Sequence, residues 1–361
     1  NNAENRFLSF MGSTLLFSSN FDDNFEQLWS INLMTNEEKQ VYKTTWDVVG
    51  ANFYEDTSTL HVFINEDAST KLITLSAEDF SELSNDILPA EGLKGYSLSR
   101  ANDQYAFIYG SDTSPGDLFL SKTTIDESSL VRPAFKNLDE NMMVSSEVIR
   151  FKSFDGLEIP SILYKPKGAS AANPVPVMVY VHGGPGGQTR KGFNSQMQYM
   201  LHHGYGVLGV NNRGSSGYGK EFYHLDDKRH GEEDLQDIIA SKQYLESLPW
   251  VDDKKIGVMG GSYGGFMTLA ALTFYPDVFN VGIDIFGVSN WVRTLTSIPP
   301  WWESFKVALY DEMGDPATAE ARHRKTSPHF HDQNIPTTII IIQCSNDPRH
   351  FNAASEELFN K

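Results

Sequence analysis

The sequence Gly-Gly-Ser-Tyr-Gly-Gly at residues 260–265 constrains the fold of this chain more than any other feature. It directly follows an apolar strand predicted over 256–259 and directly precedes an apolar helix predicted over 263–273. Glycines between a strand and a helix predict a sharp turn that holds Ser262 in a strained backbone conformation. The serine hydroxyl group then stands above the sheet at a helix N-terminus, where developing negative charge is favoured. This arrangement is typical of a catalytic nucleophile.

From residue 145 onward, apolar strands alternate with helices. The first two strands form a hairpin predicted over 148–164, which turns at Asp155 and Gly156. Nearly unbroken apolar strands separated by helices are typical of a mostly parallel sheet with flanking helices. Together with the Ser262 turn, this pattern predicts an α/β-hydrolase domain over residues 145–361. Further strands are predicted over 175–181, 206–210, 256–259, 281–286 and 337–342, and helices over 234–248 and 263–273.

Residues 1–144 contain a repeat with a period of 45 residues. Its units begin at Leu15, Leu60 and Tyr105, and each consists of two short strands joined by an acidic or serine-containing turn. Several short strands per unit at this period are typical of β-propeller blades, and an ordinary β-meander is the alternative. A closed propeller normally needs about four to eight blades. We therefore predict that residues 1–144 are the C-terminal blades of an incomplete β-propeller.

The charge of the chain excludes some partners. The net charge is −18, and residues 1–144 hold 23 of the 47 acidic residues but only nine of the 29 basic ones. Such a chain repels nucleic-acid phosphates and anionic membranes, whereas cationic peptides would be attracted. No apolar run reaches about 18 residues, so no membrane insertion is predicted. The single cysteine, Cys344, excludes an internal disulfide framework but leaves both cytoplasm and periplasm open, and no pattern predicts an oligomeric state.

A second glycine-rich sequence, His-Gly-Gly-Pro-Gly-Gly at 182–187, follows the strand predicted over 175–181. Its backbone N–H groups, together with that of Tyr263, are suited to bind the oxyanion of a tetrahedral intermediate. A phosphate-binding loop is the alternative, but the spacing matches neither a Walker nor a dinucleotide motif. His182 precedes the serine and belongs to this loop, so we interpret it as a loop-fixing residue and not as the catalytic base.

Asp347 is the candidate acid of a catalytic triad. It follows the last predicted strand and comes after the serine, as the order Ser, acid, His of α/β-hydrolases requires, and a simple Asn-Asp-Pro turn is the alternative. The sequence does not identify the histidine. His350 lies in the loop of the acid itself, and His323, His329 and His331 precede the acid, so we interpret the last three as structural or surface residues.

The start at Asn1 shows neither an initiator methionine nor a signal peptide, and the expected histidine does not occur before Lys361. We therefore expect a longer enzyme whose catalytic histidine lies beyond residue 361. The chain as given is expected to be inactive, because losing the base typically costs on the order of 10⁶ in kcat.

At these motifs the sequence resembles the prolyl oligopeptidase family of serine peptidases, and in particular its acylaminoacyl peptidase and dipeptidyl aminopeptidase branch. In that family a β-propeller precedes the hydrolase domain. The resemblance covers residues 145–350. The matching motifs are Phe-Asp-Gly at 154–156, Val-His-Gly-Gly-Pro at 181–185, Asn-Arg-Gly-Ser-Ser-Gly-Tyr-Gly at 212–219, Gly-Ser-Tyr-Gly-Gly at 261–265 and Asn-Asp-Pro-Arg at 346–349.

The resemblance implies that Ser262 is the nucleophile and Asp347 the acid. It also implies that the backbone N–H groups of Gly184 and Tyr263 bind the oxyanion. No metal or organic cofactor is implied. The expected chemistry is acyl transfer through a covalent intermediate on the serine.

A substrate site is implied as well. Val288 and Trp291 match the apolar pocket that takes the residue before the scissile bond. Arg349 matches an arginine that binds a substrate carbonyl group in some members. The alternatives are ordinary core packing for Trp291 and a surface ion pair for Arg349.

These features predict a serine peptidase that hydrolyses short peptides. An esterase or other acyl hydrolase on the same fold is the first alternative. A catalytically inactive fragment or a binding module is the second. Whether the enzyme acts as an exopeptidase or an endopeptidase stays open.

Overall fold

The structure is a computed structural model that describes residues 3–84, 88–99, 104–121, 128–335, 337–347 and 356. Arg349 and His350 lie outside the described residues. The chain divides into two compact units. The first comprises residues 1–145, 190–195 and 216–221, and the second comprises residues 146–189, 196–215 and 222–361.

Strands make up most of the first unit. They are β1 Asn5–Met11, β2 Thr14–Ser19, β3 Gln27–Asn32, β4 Glu38–Tyr42, β5 Asp47–Tyr54, β6 Thr59–Glu66, β7 Ser69–Ser76, β8 Glu82–Leu83, β9 Leu93–Leu98, β10 Tyr105–Tyr109, β11 Asp117–Ser121 and β12 Ser129–Arg132. They form three four-stranded antiparallel sheets, β1 to β4, β5 to β8 and β9 to β12, each in chain order. The predicted strand pairs are β2–β3, β6–β7 and β10–β11, which confirms the repeat as propeller blades.

The hairpin between β6 and β7 shows how the sequence sets this repeat. Glu66 pairs with Ser69, so only Asp67 and Ala68 form the loop. Both have left-handed backbones, with φ of 48° and 65°, as the two-residue turn of a twisted hairpin requires. Because an alanine disfavours this conformation, the eight residue pairs of the β6–β7 ladder must hold the turn in place.

Apolar side chains between neighbouring sheets form the core of the first unit. Alternate strand positions point to the same face, so each sheet offers one apolar face to the next. The first two sheets share a cluster that includes Leu16, Leu28, Val48, Leu60 and Val62. The second and third sheets share a smaller cluster that includes Leu72, Leu93, Tyr105 and Phe107.

The second unit is organised by one sheet. Its strands are β13 Ser146–Lys152, β14 Glu158–Tyr164, β15 Val175–Val181, β16 Gly206–Val210, β17 Val251–Gly261, β18 Val281–Ile285 and β19 Thr338–Ile342. The order across the sheet is β13-β14-β16-β15-β17-β18-β19. Strand β14 pairs antiparallel with β13 on one side and with β16 on the other, and the remaining neighbours are parallel. The segments that follow β15, β17, β18 and β19 therefore lie at one edge of the sheet.

Helices follow the strands of this sheet along the chain, which confirms the predicted α/β-hydrolase fold. They are α1 Ser195–His202, α2 Lys220–Tyr223, α3 Glu233–Glu246, α4 Tyr263–Phe274, α5 Trp291–Thr296, α6 Glu303–Met313 and α7 Pro316–Thr326. The two predicted helices are α3 and α4. Helix α4 is apolar around its circumference, since it is buried on nearly all sides. None of the helices in the described part of the chain has the length and the apolar composition that crossing a bilayer requires.

Candidate active site

Ser262 occupies the turn between β17 and α4. Its φ of 56° and ψ of −117° lie in a region that a non-glycine residue adopts only at an energetic cost. Backbone hydrogen bonds hold it there. The Ser262 N–H donates to the carbonyl oxygen of Ile285 at 3.0 Å, and the Ser262 carbonyl oxygen accepts from the N–H of Phe266 at 3.0 Å. The turn thus has the strained backbone that the sequence predicts.

Close packing explains the glycines on both sides of the serine. A Cβ atom on Gly264 would lie 2.1 Å from the carbonyl oxygen of Val181, at the end of β15. A Cβ atom on Gly260 would lie 2.5 Å from the backbone of Gly264. Any side chain at these positions would push α4 away from the sheet and would displace Ser262.

The loop after β15 lies beside the serine. A Cβ atom on Gly183 would lie 3.6 Å from the Cβ of Ser262. The buried ring of His182 fixes this loop, because its Nδ1 lies 2.8 Å from the carbonyl oxygen of Gly183 and its Nε2 lies 2.8 Å from the Oγ of Ser215. Burial lowers the pKa of His182. Both contacts agree with a loop-fixing role.

A cavity of about 110 Å³ brings together five of the residues implied by the resemblance: Gly184, Ser262, Tyr263, Val288 and Trp291. Its remaining wall comes from α5, α6 and the segment between them. The sequence analysis did not predict this wall, which includes Ile298, Trp302, Phe305 and Leu309.

Trp291 is held in the cavity wall by its neighbours. Its backbone N–H donates to the Oγ of Ser327 at 2.9 Å. The preceding Asn290 caps α5 by accepting from the N–H of Arg293 at 3.1 Å. The indole ring lies 6.0 Å from the ring of Tyr263 between centroids. The tryptophan therefore belongs to the core and also faces the cavity.

Asp347 follows β19, which is separated from β17, the strand that leads to Ser262, only by β18. Because these strands are parallel, Asp347 and Ser262 emerge at the same edge of the sheet. The carboxylate is half-buried, and the Asp347 N–H closes a turn onto the carbonyl oxygen of Cys344 at 3.3 Å. The roles implied for Arg349 and His350 fall outside the described residues.

The other histidines weighed as the base have structural surroundings. His323 is buried, and its Nε2 lies 3.1 Å from the carbonyl oxygen of Gly314. Burial also lowers the pKa of His323. The ring of His331 packs against Phe274, with 5.4 Å between centroids.

Behind Ser262 lies a buried polar contact that the sequence analysis missed. The hydroxyl group of Tyr263 donates to the Oδ2 of Asp234, and the Oδ1 of Asp234 accepts from the N–H groups of Gly231 and Leu235 at 2.8 Å each. Burial and this carboxylate raise the pKa of Tyr263 well above its usual value, so the phenol stays neutral. The contact fixes the side chain of the residue whose backbone N–H is the expected oxyanion donor.

A buried ion pair explains two further motifs. The Nε and Nη2 atoms of Arg213 each lie 2.9 Å from a carboxylate oxygen of Asp237. The Nη1 atom of Arg213 lies 3.0 Å from Asp155, and the guanidinium group stacks on Phe154 at 4.9 Å. Asp237 also accepts from the Oγ of Ser153 at 2.5 Å. The sequences at 154–156 and 212–219 thus tie the first hairpin to α3.

A strained serine at the C-terminal edge of a mostly parallel sheet, beside a glycine-rich loop and a helix N-terminus, defines an α/β-hydrolase with a nucleophile elbow. Residues 191–361 match the sequence model of the prolyl oligopeptidase family. Over these residues, the chain is a member of this family.

Similar proteins of known class support the assignment to the prolyl oligopeptidase family. Dipeptidyl aminopeptidase BIII of Pseudoxanthomonas mexicana is 35% identical over 229 residues, which cover 61% of this chain and 33% of that protein. The Pyrococcus horikoshii acylaminoacyl peptidase has a TM-score of 0.76 and 26% identity, and the match covers 97% of this chain and 55% of that one. The chain therefore spans about a third to about half of the length of these relatives.

A third similarity concerns the fold alone. The Mycobacterium tuberculosis puromycin-hydrolysing peptidase has a TM-score of 0.85 at 21% identity, and the match covers 99% of this chain and 55% of that one. Because the match takes in nearly every residue of this chain, its propeller blades and its α/β unit both have counterparts in one solved enzyme.

Proposed function

We propose that this chain forms part of a serine peptidase that hydrolyses short peptides through an acyl-enzyme intermediate. The observation that carries the proposal is the cavity in which the strained Ser262 lies together with Gly184 and Tyr263. Family membership and the names of the relatives support peptide bonds as the substrate class.

The proposed reaction begins with attack of the Ser262 Oγ on the carbonyl carbon of the scissile peptide bond. A histidine outside the described residues takes the hydroxyl proton, and Asp347 orients that histidine. The N–H groups of Gly184 and Tyr263 bind the oxyanion, each contributing roughly 3 kcal/mol in the transition state. The histidine then protonates the leaving amine, and water hydrolyses the acyl-enzyme.

The apolar cavity beside Ser262 is the proposed site for the residue before the scissile bond. Val288 and Trp291 line it and are themselves buried, so they form a rigid wall. Arg349 is proposed, on the family resemblance, to bind a substrate carbonyl group. The names of the relatives suggest either a free or an acylated amino terminus on the substrate. Turnover of paired peptides with and without an N-terminal acyl group distinguishes the two.

Labelling of the proposed full-length enzyme with a fluorophosphonate probe tests the nucleophile. We expect the protein to incorporate one probe, the Ser262→Ala variant to incorporate none, and the matched Ser247→Ala variant, which changes an exposed serine after α3, to label like the wild type. Labelling of Ser262→Ala at the wild-type rate would contradict the proposal. A wild-type protein that does not label would support the inactive alternative.

An esterase on the same fold would pass this labelling test. Peptide anilides and acyl esters that share the same acyl group separate the two functions. We expect turnover of the anilide, and turnover of the ester alone would identify an esterase.

A further inference from the structure

A cluster of ionisable side chains lies behind the nucleophile in the second unit and takes no part in the proposed reaction. Asp226 ends a short 3-10 helix, His230 lies in the following loop, and Glu312 lies near the end of α6. One ligand atom from each of the three residues lies within 4.8 Å of the others. Asp234, which accepts from Tyr263, begins the next helix, α3.

The charges of this cluster do not balance. Asp226, Asp234 and His230 are buried, and the Glu312 side chain is only 17% exposed. Among the described residues, no lysine or arginine forms an ion pair with the carboxylates of Asp226, Asp234 or Glu312. Even a protonated His230 would leave three carboxylates facing one cation. Because burying uncompensated charge is strongly unfavourable, the cluster requires a further positive charge or protonated carboxyl groups.

The geometry around His230 suits a metal ion. Its Nε2 lies 3.3 Å from the Oδ2 of Asp226 and 3.5 Å from the Oε1 of Glu312. Neither contact satisfies hydrogen-bond geometry, and within the described chain the buried Nε2 of His230 and Oδ1 of Asp226 have no hydrogen-bond partner. Ligand atoms of a tetrahedral zinc site, with bonds of about 2.0–2.2 Å, lie about 3.3–3.6 Å apart. Both measured distances fall within that range.

The surroundings hold the side chain of Asp226 in place. A Cβ atom on Gly214 would lie 2.0 Å from the Oδ2 of Asp226, so the carboxylate sits directly on the backbone of the 212–219 motif. The N–H of Lys228, which lies between Asp226 and His230 in the sequence, donates to the Glu312 carbonyl oxygen at 2.6 Å. This bond ties the loop that carries His230 to α6. Such a site is closed on the side of Tyr263 and open to solvent only beside Glu312.

We propose that Asp226, His230 and Glu312 form a structural site for one divalent cation of the zinc class, directly behind Tyr263. One imidazole nitrogen and two carboxylate oxygens are ligands that favour Zn²⁺ over the purely oxygen-bound Ca²⁺ and Mg²⁺. The ion balances the buried carboxylates and ties the 226–230 loop to α6. It does not touch the reacting atoms, so it is a structural ion and the peptidase chemistry does not depend on it.

Metal content tests this site independently of any activity. The protein is stripped with a chelator and then titrated with Zn²⁺ alone in competition with a chromophoric chelator. We expect one tight equivalent per chain and a Zn²⁺-dependent rise in the thermal midpoint. Glu312→Gln, at the most exposed ligand, is expected to weaken binding at least tenfold. The matched His224→Ala variant removes an exposed histidine whose Nδ1 lies 2.9 Å from Asp227 and which is not one of the proposed ligands, and it should bind Zn²⁺ like the wild type.

Cobalt reports the geometry. Co²⁺ in place of Zn²⁺ should give the intense visible absorption of a tetrahedral site in the wild type and in His224→Ala, and a weak spectrum in Glu312→Gln. The proposal is wrong if the wild-type protein takes up no tight equivalent, because the cluster is then neutralised by protons. It is equally wrong if a folded Glu312→Gln protein, judged by its near-UV circular dichroism, binds as tightly as the wild type.

Discussion

Asp284 places a carboxyl group in the middle of the core behind the nucleophile turn. Its Oδ1 accepts from the N–H of Gly287 at 2.9 Å, while its buried Oδ2 has no hydrogen-bond partner within the described residues. Burial raises its pKa from 3.8 to about 7. The residue packs against Gly265, where a Cβ atom would lie 2.5 Å from the Oδ1. The protonated acid is therefore the stable form beneath α4 below about pH 7.

This carboxyl group makes stability depend on pH. Between 3.8 and about 7 the native state keeps a proton that the unfolded state has lost, so the free energy of unfolding falls as the pH rises through this window and then levels off. The total loss is at most about 4 kcal/mol, at 1.36 kcal/mol per pKa unit. We expect Asp284→Asn to remove this loss, so that it matches the wild type near pH 4 and is more stable near pH 8.

Urea denaturation at a series of pH values measures the effect. The exposed Asp277→Asn is the matched control, since it makes the same charge change at the surface, and it should keep the wild-type slope. An Asp284→Asn protein with an unchanged slope would show that the buried carboxyl group is ionised throughout.

At the scale of elements, helix α6 shapes the cavity beside Ser262. Phe305 forms part of the wall and is 42% exposed, so its side chain lies at the rim. We expect Phe305→Ala to widen the cavity at little cost in stability. The kcat/KM for substrates with a large apolar residue before the scissile bond should rise about tenfold relative to those with alanine, since a few methylene groups are worth about 1–3 kcal/mol.

Val307 supplies the control for this change. It lies on the same helix, is 56% exposed and does not line the cavity. Val307→Ala should therefore leave the ratio of the two kcat/KM values unchanged. An equal effect of both substitutions, or no effect of Phe305→Ala, would mean that α6 does not bound the substrate site.

The strands and helices that the sequence predicts are those marked by a pattern within one continuous stretch of residues. The strand, turn and helix around Ser262 lie within one continuous stretch, and largely apolar runs mark the predicted segments of β15 to β19. Helix α7 was not predicted, because its exposed, mostly polar sequence buries only Pro316, His323 and Thr326 and shows no apolar stripe. The cluster of Asp226, His230 and Glu312 could not be predicted either. Its ligands come from a loop and a distant helix that only the tertiary fold brings together.

At the scale of the whole molecule, the two parts of the chain differ in net charge as well as in fold. Residues 1–144 carry 23 acidic and nine basic residues, whereas the remaining 217 residues carry 24 and 20. Each unit buries its own apolar core. Like charges repel within a compact domain and lower its stability, and dissolved salt screens this repulsion.

Salt should therefore stabilise the propeller blades selectively. Raising the ionic strength from about 0.01 to 0.15 M shortens the Debye length from about 30 to 8 Å. We expect amide exchange in peptides from β2, β3 and β6 to slow severalfold, and exchange in peptides from β15 and β17 to change much less. Hydrogen exchange with mass spectrometry resolves these peptides within one sample. An equal response of both sets would contradict the charge argument.

The loop that carries Asp347 also contains the single thiol of the chain. Cys344 is exposed and lies three positions before the candidate acid. Within residues 1–361, a maleimide dye will therefore attach at one defined place, beside the acid and away from Ser262 in the sequence. The emission of that dye can report in real time whether the loop moves when a ligand enters the cavity.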